Sequence, residues 1–420
     1  MKNILIEQNR HWSGKRYGGV RRHKLDKLIS YLPLRQIIAV TGIRRCGKST
    51  LVKQAIDHLV DSGVDAKNIL FVNLEHPAFV EKRESPMLLE EIYETYLKLM
   101  NPTGKVYCVF DEIQYVKEWQ VAIKNRYELG EIKFIITGSN SSMLSNELTT
   151  LLSGRSLTIE LDTFSFAEYL DYQAIPYATE LERLTHRIPI ARAKESYLKW
   201  GGFYEVFTIE DDLVRQELLT AYARNIIYQD IVPRYKIRHA ETVERLFFYL
   251  LGMVGGILNY ATLSKIFDIS DKTVREYMRY FEDVFFFHRI DRFHTKPKER
   301  IRSTKKLYLG DNGFLQIAPK HSENLGIALE NGVFNLLRNR CKEVTYLKEN
   351  VEIDFKCEKT LYQVAWRIDD PATRKRETEA FKKLDPEGKY SHRIVTYEDH
   401  KEIEGIDILD YETFALAEKI

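Results

Sequence analysis

The sequence predicts an α/β protein whose first third is a mostly parallel sheet covered on both faces. Three observations carry that prediction. Five short runs of β-branched and apolar residues recur: Gln36–Thr41 (QIIAVT), Ile69–Leu74 (ILFVNL), Val106–Phe110 (VYCVF), Lys133–Thr137 (KFIIT) and Leu157–Leu161 (LTIEL). Helical patterns of about ten residues or more separate them, as crossovers between parallel strands require. The runs are apolar throughout, as strands buried on both faces are. The chain has 420 residues, too many for one core, and roughly two to four domains are expected.

The first run leads into GIRRCGKST, which fits G-x-x-x-x-G-K-[ST] with a strand before it and a helix after. The pattern predicts a phosphate-binding loop of Gly42, Ile43, Arg44, Arg45, Cys46, Gly47, Lys48, Ser49 and Thr50. Gly42 and Gly47 permit backbone angles and close approach that a side chain blocks. Loop N–H groups at the positive end of the following helix are expected to face a β-phosphate. Lys48 is placed for the β- and γ-phosphates and the Ser49 hydroxyl for Mg²⁺, with Thr50 by the α-phosphate. ATP and Mg²⁺ are the expected ligands.

The third run ends in Asp111-Glu112. Carboxylates at the C-terminal end of such a strand lie where a parallel sheet presents ligands. Asp111 is the expected partner of Mg²⁺ and Glu112 the group that polarises an attacking water. The fourth run continues into Gly138-Ser139-Asn140. If this strand lies between the first and third, Ser139 or Asn140 reaches the γ-phosphate; alternatively, these residues cap the helix that SNSSML begins. Arg155, before the fifth run, is read either as a transition-state cation from its own or a neighbouring subunit or as a surface arginine at a helix end.

Composition narrows the classes. Lys plus Arg total 63 against 61 Asp plus Glu, a net charge of +2, so nucleic-acid binding would need local patches. The basic stretches are Lys15–Lys27 and Arg292–Lys306. The four cysteines form no C-x-x-C pair, which argues against zinc. Cys46 and Cys108, inside nucleotide-site segments, are expected as reduced thiols in a cytoplasmic protein. The N-terminus has no signal-peptide core, and the apolar stretch 247–258 is broken by glycines and too short to span a bilayer.

From about Ser165 to Ala240 the pattern is helical. Residues 260–290 read as helix, turn at Asp268–Asp271, helix, strand. Leu263, Ile266, Phe267, Ile269, Val274, Tyr277, Met278 and Phe281 form the expected apolar face, with Arg275, Glu276 and Arg279 outward. Arg292–Lys306 is a candidate phosphate-contacting wing, although such modules also bind proteins. Strands return with LYLG, EVTYL, EIDFK and TLYQVAW around a helix at Gly326–Arg340.

The motifs TGIRRCGKSTL, FDEIQYVKEWQ, ITGSNSSML, LSGR, TFSFAEYL, WGGFYEVF, KLYLGDNGF, LENGVFNLL and EIDF together resemble AAA-type prokaryotic ATPases with a C-terminal domain of unknown function. Tyr204 stands where that pattern often has Pro. The resemblance covers nearly the whole chain. It implies an α/β chain with a P-loop NTPase parallel sheet at 1–164 and a helical lid at 165–240. A winged-helix segment at 241–305 and a restriction-endonuclease-like α/β domain at 306–420 complete it. In the last domain Glu330 and Asp354 match two carboxylates of such a nuclease. The expected Glu-x-Lys reads Gln363-Val364-Ala365, so cleavage is not expected unless Lys356 or Lys348 substitutes. More plainly, Glu330 pairs with a nearby arginine. The reading is a Mg-ATP-dependent ATPase acting on nucleic acid as a switch or small motor. The alternatives are a scaffold ATPase with a protein partner and, more weakly, an ATP-regulated nuclease. DNA, a protein and a second copy of the chain stay open as partners; a membrane is not expected.

Overall fold

The five apolar runs form five parallel strands: β1 (Ile37–Thr41), β2 (Ile69–Asn73), β3 (Val106–Asp111), β4 (Ile132–Gly138) and β5 (Ser156–Glu160). This computed structural model describes residues 1–130, 132–140, 154–319, 325–398 and 402–417. The chain divides into two units, Met1–Thr163 and Phe164–Ile420.

In the first unit the strand order is β2-β3-β4-β1-β5. Strand β4 thus lies between β1 and β3, and the polar ends of all three meet at one edge. Strands β1 and β4 are buried throughout, which is why their sequences do not alternate. The edge strand β5 is half-buried and admits Thr158 and Glu160. The helix Lys48–Asp61 buries Leu51, Val52, Ala55, Ile56 and Leu59 at helical spacing. Trp119, Tyr96, Phe110 and Phe134 fill the opposite side, each such burial stabilising by about 1.5–3 kcal/mol. The helix read at SNSSML lies outside the described residues.

The second unit begins with helices, including Phe166–Tyr172, Arg187–Trp200, Asp212–Asn225 and Ala240–Leu251. A one-turn π-helix, Ile226–Ile231, had no counterpart in the sequence pattern. The helices Tyr260–Phe267 and Asp271–Asp283 flank the expected turn. Ile266, assigned to their apolar face, is 46% exposed, whereas Leu263, Val274, Tyr277, Met278 and Phe281 are buried.

Its sheet has seven strands: β6 (Phe287–Arg292), β7 (Lys305–Leu309), β8 (Val344–Lys348), β9 (Glu352–Cys357), β10 (Thr360–Ala365), β11 (Ser391–Thr396) and β12 (Asp407–Asp410). Their order is β12-β11-β10-β9-β8-β6-β7. The boundary expected at 305/306 falls inside β7, and β6 and β7 pair antiparallel within this sheet. The loop between them is a short helix, Pro297–Arg302. Cys341 and Cys357 are joined as a disulfide, a pairing not anticipated from a reading of reduced thiols. Among the described residues no helix is long and apolar enough to cross a membrane.

Candidate functional site

At the C-terminal edge of the first sheet, β1 gives way to the loop 42–47 and the helix that Lys48 opens. Gly42 has φ +149°, and a Cβ there would lie 2.0 Å from the Leu161 carbonyl oxygen. Gly47 has φ +99°, and its Cβ would meet the Arg22 guanidinium at 2.7 Å. Only glycine fits either position.

Lys48 is 3% exposed. Its Nζ donates to the carbonyls of Gly42 (3.1 Å) and Ile43 (3.2 Å) and faces Glu112 Oε1 at 3.6 Å. The loop therefore holds the ammonium over its own concave side. Arg44 pairs with Glu75 and reaches the Tyr115 hydroxyl, while Arg45 is exposed with φ +67°. Cys46 is buried, and burial raises its thiol pKa.

Asp111 ends β3. Its Oδ1 accepts a 2.6 Å bond from Thr137 Oγ1, and the Ser49 hydroxyl also bonds it. Thr137 in turn accepts the Glu112 N–H at 2.9 Å. Burial and the adjacent Glu112 carboxylate push the Asp111 carboxyl upward; Thr137, Ser49 and Lys48 oppose them. Two acidic groups and a serine hydroxyl thus converge where their charge is poorly solvated. Carboxylate and hydroxyl oxygens are the hard donors that Mg²⁺ requires, so Asp111 and Ser49 fit that ion.

Glu112 has φ +55°, which turns its side chain back toward Lys48. Ser139 and Asn140 are buried at the end of β4, and Ser139 Oγ accepts a 3.2 Å bond from Gln114 Nε2. Arg155 is not brought here. Its carbonyl bonds the N–H of Ile37, the first residue of β1, and its side chain pairs with Glu128 at 2.8 Å. It therefore sits a strand's length from the loop.

Sequence reading missed three residues of the site. Thr137 and Gln114 lie inside quoted segments, KFIITGSN and FDEIQYVKEWQ, but carried no motif signal of their own. Arg22 was grouped with the basic stretch Lys15–Lys27, a candidate nucleic-acid patch, yet it is 1% exposed. Its guanidinium bonds the Cys46 carbonyl and, at 2.8 Å, that of Asp162. Its neighbours Arg16, Arg21 and Lys24 pair with Asp61, Asp26 and Asp162.

A second charged cluster lies in the second unit. Lys306, 3% exposed, faces Glu352 at 2.7 Å, Glu330 at 3.1 Å and Asp354 at 3.6 Å. Glu330 thus pairs with a lysine from β7, not an arginine. Lys348 bonds Glu352, and Lys356 lies over the rings of Phe293 and Tyr390. Gln363 is tied to the Asp354 N–H, the Glu352 carbonyl and Glu377. Burial opposes the charge on Lys306, but Glu330, Asp354 and Glu352 together hold its pKa above the ordinary lysine value. The protein's own ammonium occupies the space among the carboxylates.

Burial, reinforced by Glu330, pushes Asp354 up to about 8 against the pull of Lys306. Unfolded, the same carboxyl titrates near ~3.9. Between those values the folded chain holds a proton that the unfolded chain has released, so this group's contribution to stability falls as pH rises. Asp354→Asn removes the titration. The parent's melting temperature, measured relative to the variant, is expected to drop between about pH 5 and pH 8 and then level off. Parallel curves would show that Asp354 is ionised throughout.

Residues 34–170 match the family model of an AAA domain, and residues 192–324 match a domain of unknown function, DUF8612. An uncharacterized protein of Haemophilus influenzae is 29% identical over 402 residues, covering 93% of this chain and 96% of its own length. One from Methanocaldococcus jannaschii is 29% identical over 381 residues, covering 87% and 82%. Among solved structures, the Aeropyrum pernix ORC1 protein in complex with DNA aligns with a TM-score of 0.32 at 12% identity, over 74% of this chain and 96% of that one. AMPPCP-bound DnaA from Aquifex aeolicus aligns with a TM-score of 0.28 at 14% identity, over 64% and 90%.

Proposed function

We propose that this chain, which carries an AAA domain, binds Mg-ATP in the loop 42–50 and hydrolyses it. The observation that carries the reading is the convergence of Lys48, Ser49, Asp111 and Glu112 on one buried edge of the sheet. The loop's N–H groups and Lys48 hold the β- and γ-phosphates. Ser49 and Asp111 hold Mg²⁺, which screens phosphate charge when bound. Glu112 polarises the attacking water, and Ser139 reaches the γ-phosphate. Beside Thr50 a cleft of about 500 Å³ opens, lined by Tyr17, Gly18, Gly19, Lys53 and Phe71; it has room for the base and ribose. Phosphate release measured with and without Mg²⁺ tests the reading.

For the target we propose nucleic acid, contacted by the helix Asp271–Asp283 and the loop after β6. Lys272, Arg279, Lys298 and Arg302 are exposed there. One observation favours the second reading, a protein partner. Much of the expected wing is neutralised internally: Arg300 pairs with Asp291 and Glu343, Lys305 with Asp291, and Lys296 with Glu299. In the nucleic-acid reading, DNA raises the ATPase rate. Changing Lys272, Arg279, Lys298 and Arg302 to Gln weakens binding and flattens the log–log salt slope by about 0.9 for each phosphate that these side chains no longer neutralise. Absence of DNA binding by the parent at low salt would leave the protein-partner reading. A nuclease reading is opposed by Lys306, whose ammonium sits among Glu330, Glu352 and Asp354, where a metal ion would have to bind.

A further inference from the structure

Glu112 is followed by one turn of 3-10 helix, Ile113–Tyr115, which returns the Gln114 side chain toward the nucleotide site. Its amide nitrogen donates to two acceptors at once, Glu112 Oε2 and Ser139 Oγ, the latter at 3.2 Å. Its carbonyl oxygen, Oε1, is buried without a hydrogen-bond partner. A carboxamide offers two donors and an acceptor with two lone pairs, and a buried acceptor left unmatched in a folded protein calls for a reason.

We infer that Gln114 is a positioning residue that links Ser139, at the γ-phosphate end of the site, to the water-polarising carboxylate of Glu112. The inference rests on the ATPase reading above. In the structure both Glu112 oxygens are engaged, Oε1 facing Lys48 at 3.6 Å and Oε2 accepting from Gln114. A carboxylate that faces an ammonium on one side and accepts from an amide on the other is a poor acceptor for a proton from water. A γ-phosphate competes for Lys48 and for the Ser139 hydroxyl, whose proton is free to point away from Gln114. Freed of Lys48, Glu112 turns one oxygen to the water, while Gln114 keeps the other in register with Ser139. The Gln114 carbonyl oxygen is then the acceptor for the water's second hydrogen. One side chain thereby makes readiness of the base depend on occupancy of the phosphate pocket.

The test uses the full chain with Gln114→Ala and Gln114→Met; the second keeps the side-chain volume and loses both polar ends. Turnover, KM for ATP, and ATP affinity by calorimetry are measured, with thermal melts to compare folding. The expected result is a fall in kcat of about 10²-fold, with ATP affinity within about threefold of the parent. In the Glu112→Gln background the same changes are expected to add little, because the two groups act as one unit. A kcat within about threefold of the parent in either folded variant overturns the link. So does a loss that adds in full to that of Glu112→Gln. If Glu112→Gln loses activity while the Gln114 variants keep it, the ATPase reading stands and the link alone fails. A parent without ATPase activity overturns both.

Discussion

Lys48→Ala is expected to remove productive ATP binding and to lower turnover by more than about 10²-fold. The ammonium is held by the Gly42 and Ile43 carbonyls, so the loop itself fixes its position. A cation placed in advance costs no reorganisation when phosphate charge arrives. Alanine leaves the loop's N–H groups to meet that charge alone. Lys48 is buried and faces Glu112, so the change also touches the resting fold. Losing the partner of a buried charge costs on the order of 1–3 kcal/mol. The variant should therefore fold with a lowered melting temperature. Calorimetric titration with Mg-ATP and a phosphate-release assay check both parts. Hydrolysis at the parent rate in folded Lys48→Ala would withdraw the assignment.

Glu112→Gln is expected to bind ATP and hold it unhydrolysed, with turnover lower by about 10²–10⁴-fold. The amide keeps the shape and loses the anion. Binding should tighten slightly, because one negative charge facing the phosphates is gone. Single-turnover experiments separate the two effects: bound nucleotide recovered as ATP in the variant and as ADP in the parent. Recovery of ADP at the parent rate would place water activation on another group.

Much of the first unit was legible because its signals are local. Strands buried on both faces read as apolar runs, and glycines at fixed offsets mark the sharp loop 42–47, so β1, that loop and β3 were readable as structure. The side chains that complete the site were not legible. Thr137 and Gln114 act through partners about 25 positions away, and Arg22 reaches Asp162, 140 positions away. A buried arginine within a run of exposed ones has the same sequence signature as its neighbours. The second unit was harder for the same reason. Strands β11 and β12 carry polar residues in SHRIVT and DILD, and nothing in the run RSTKK marks Lys306 as the partner of Glu330, Glu352 and Asp354. Arg155 shows the opposite limit: a cation beside a strand is easily noticed, but only the strand's direction tells at which end it lies.

The tight fit of Gly42 against the Leu161 carbonyl ties the loop 42–47 to the chain that leaves the sheet. Leu161 donates its N–H to Thr41, the residue before Gly42, and Arg22 joins the Cys46 carbonyl to those of Asp162 and Thr163. No slack separates the loop from residues 161–163. A displacement of the loop by a fraction of an ångström must be shared by that segment, since a close-packed contact transmits strain. Phe164, the next residue, begins the second unit. Within the first unit, the seating of the loop is thus set as much by the residues that follow β5 as by its own glycines.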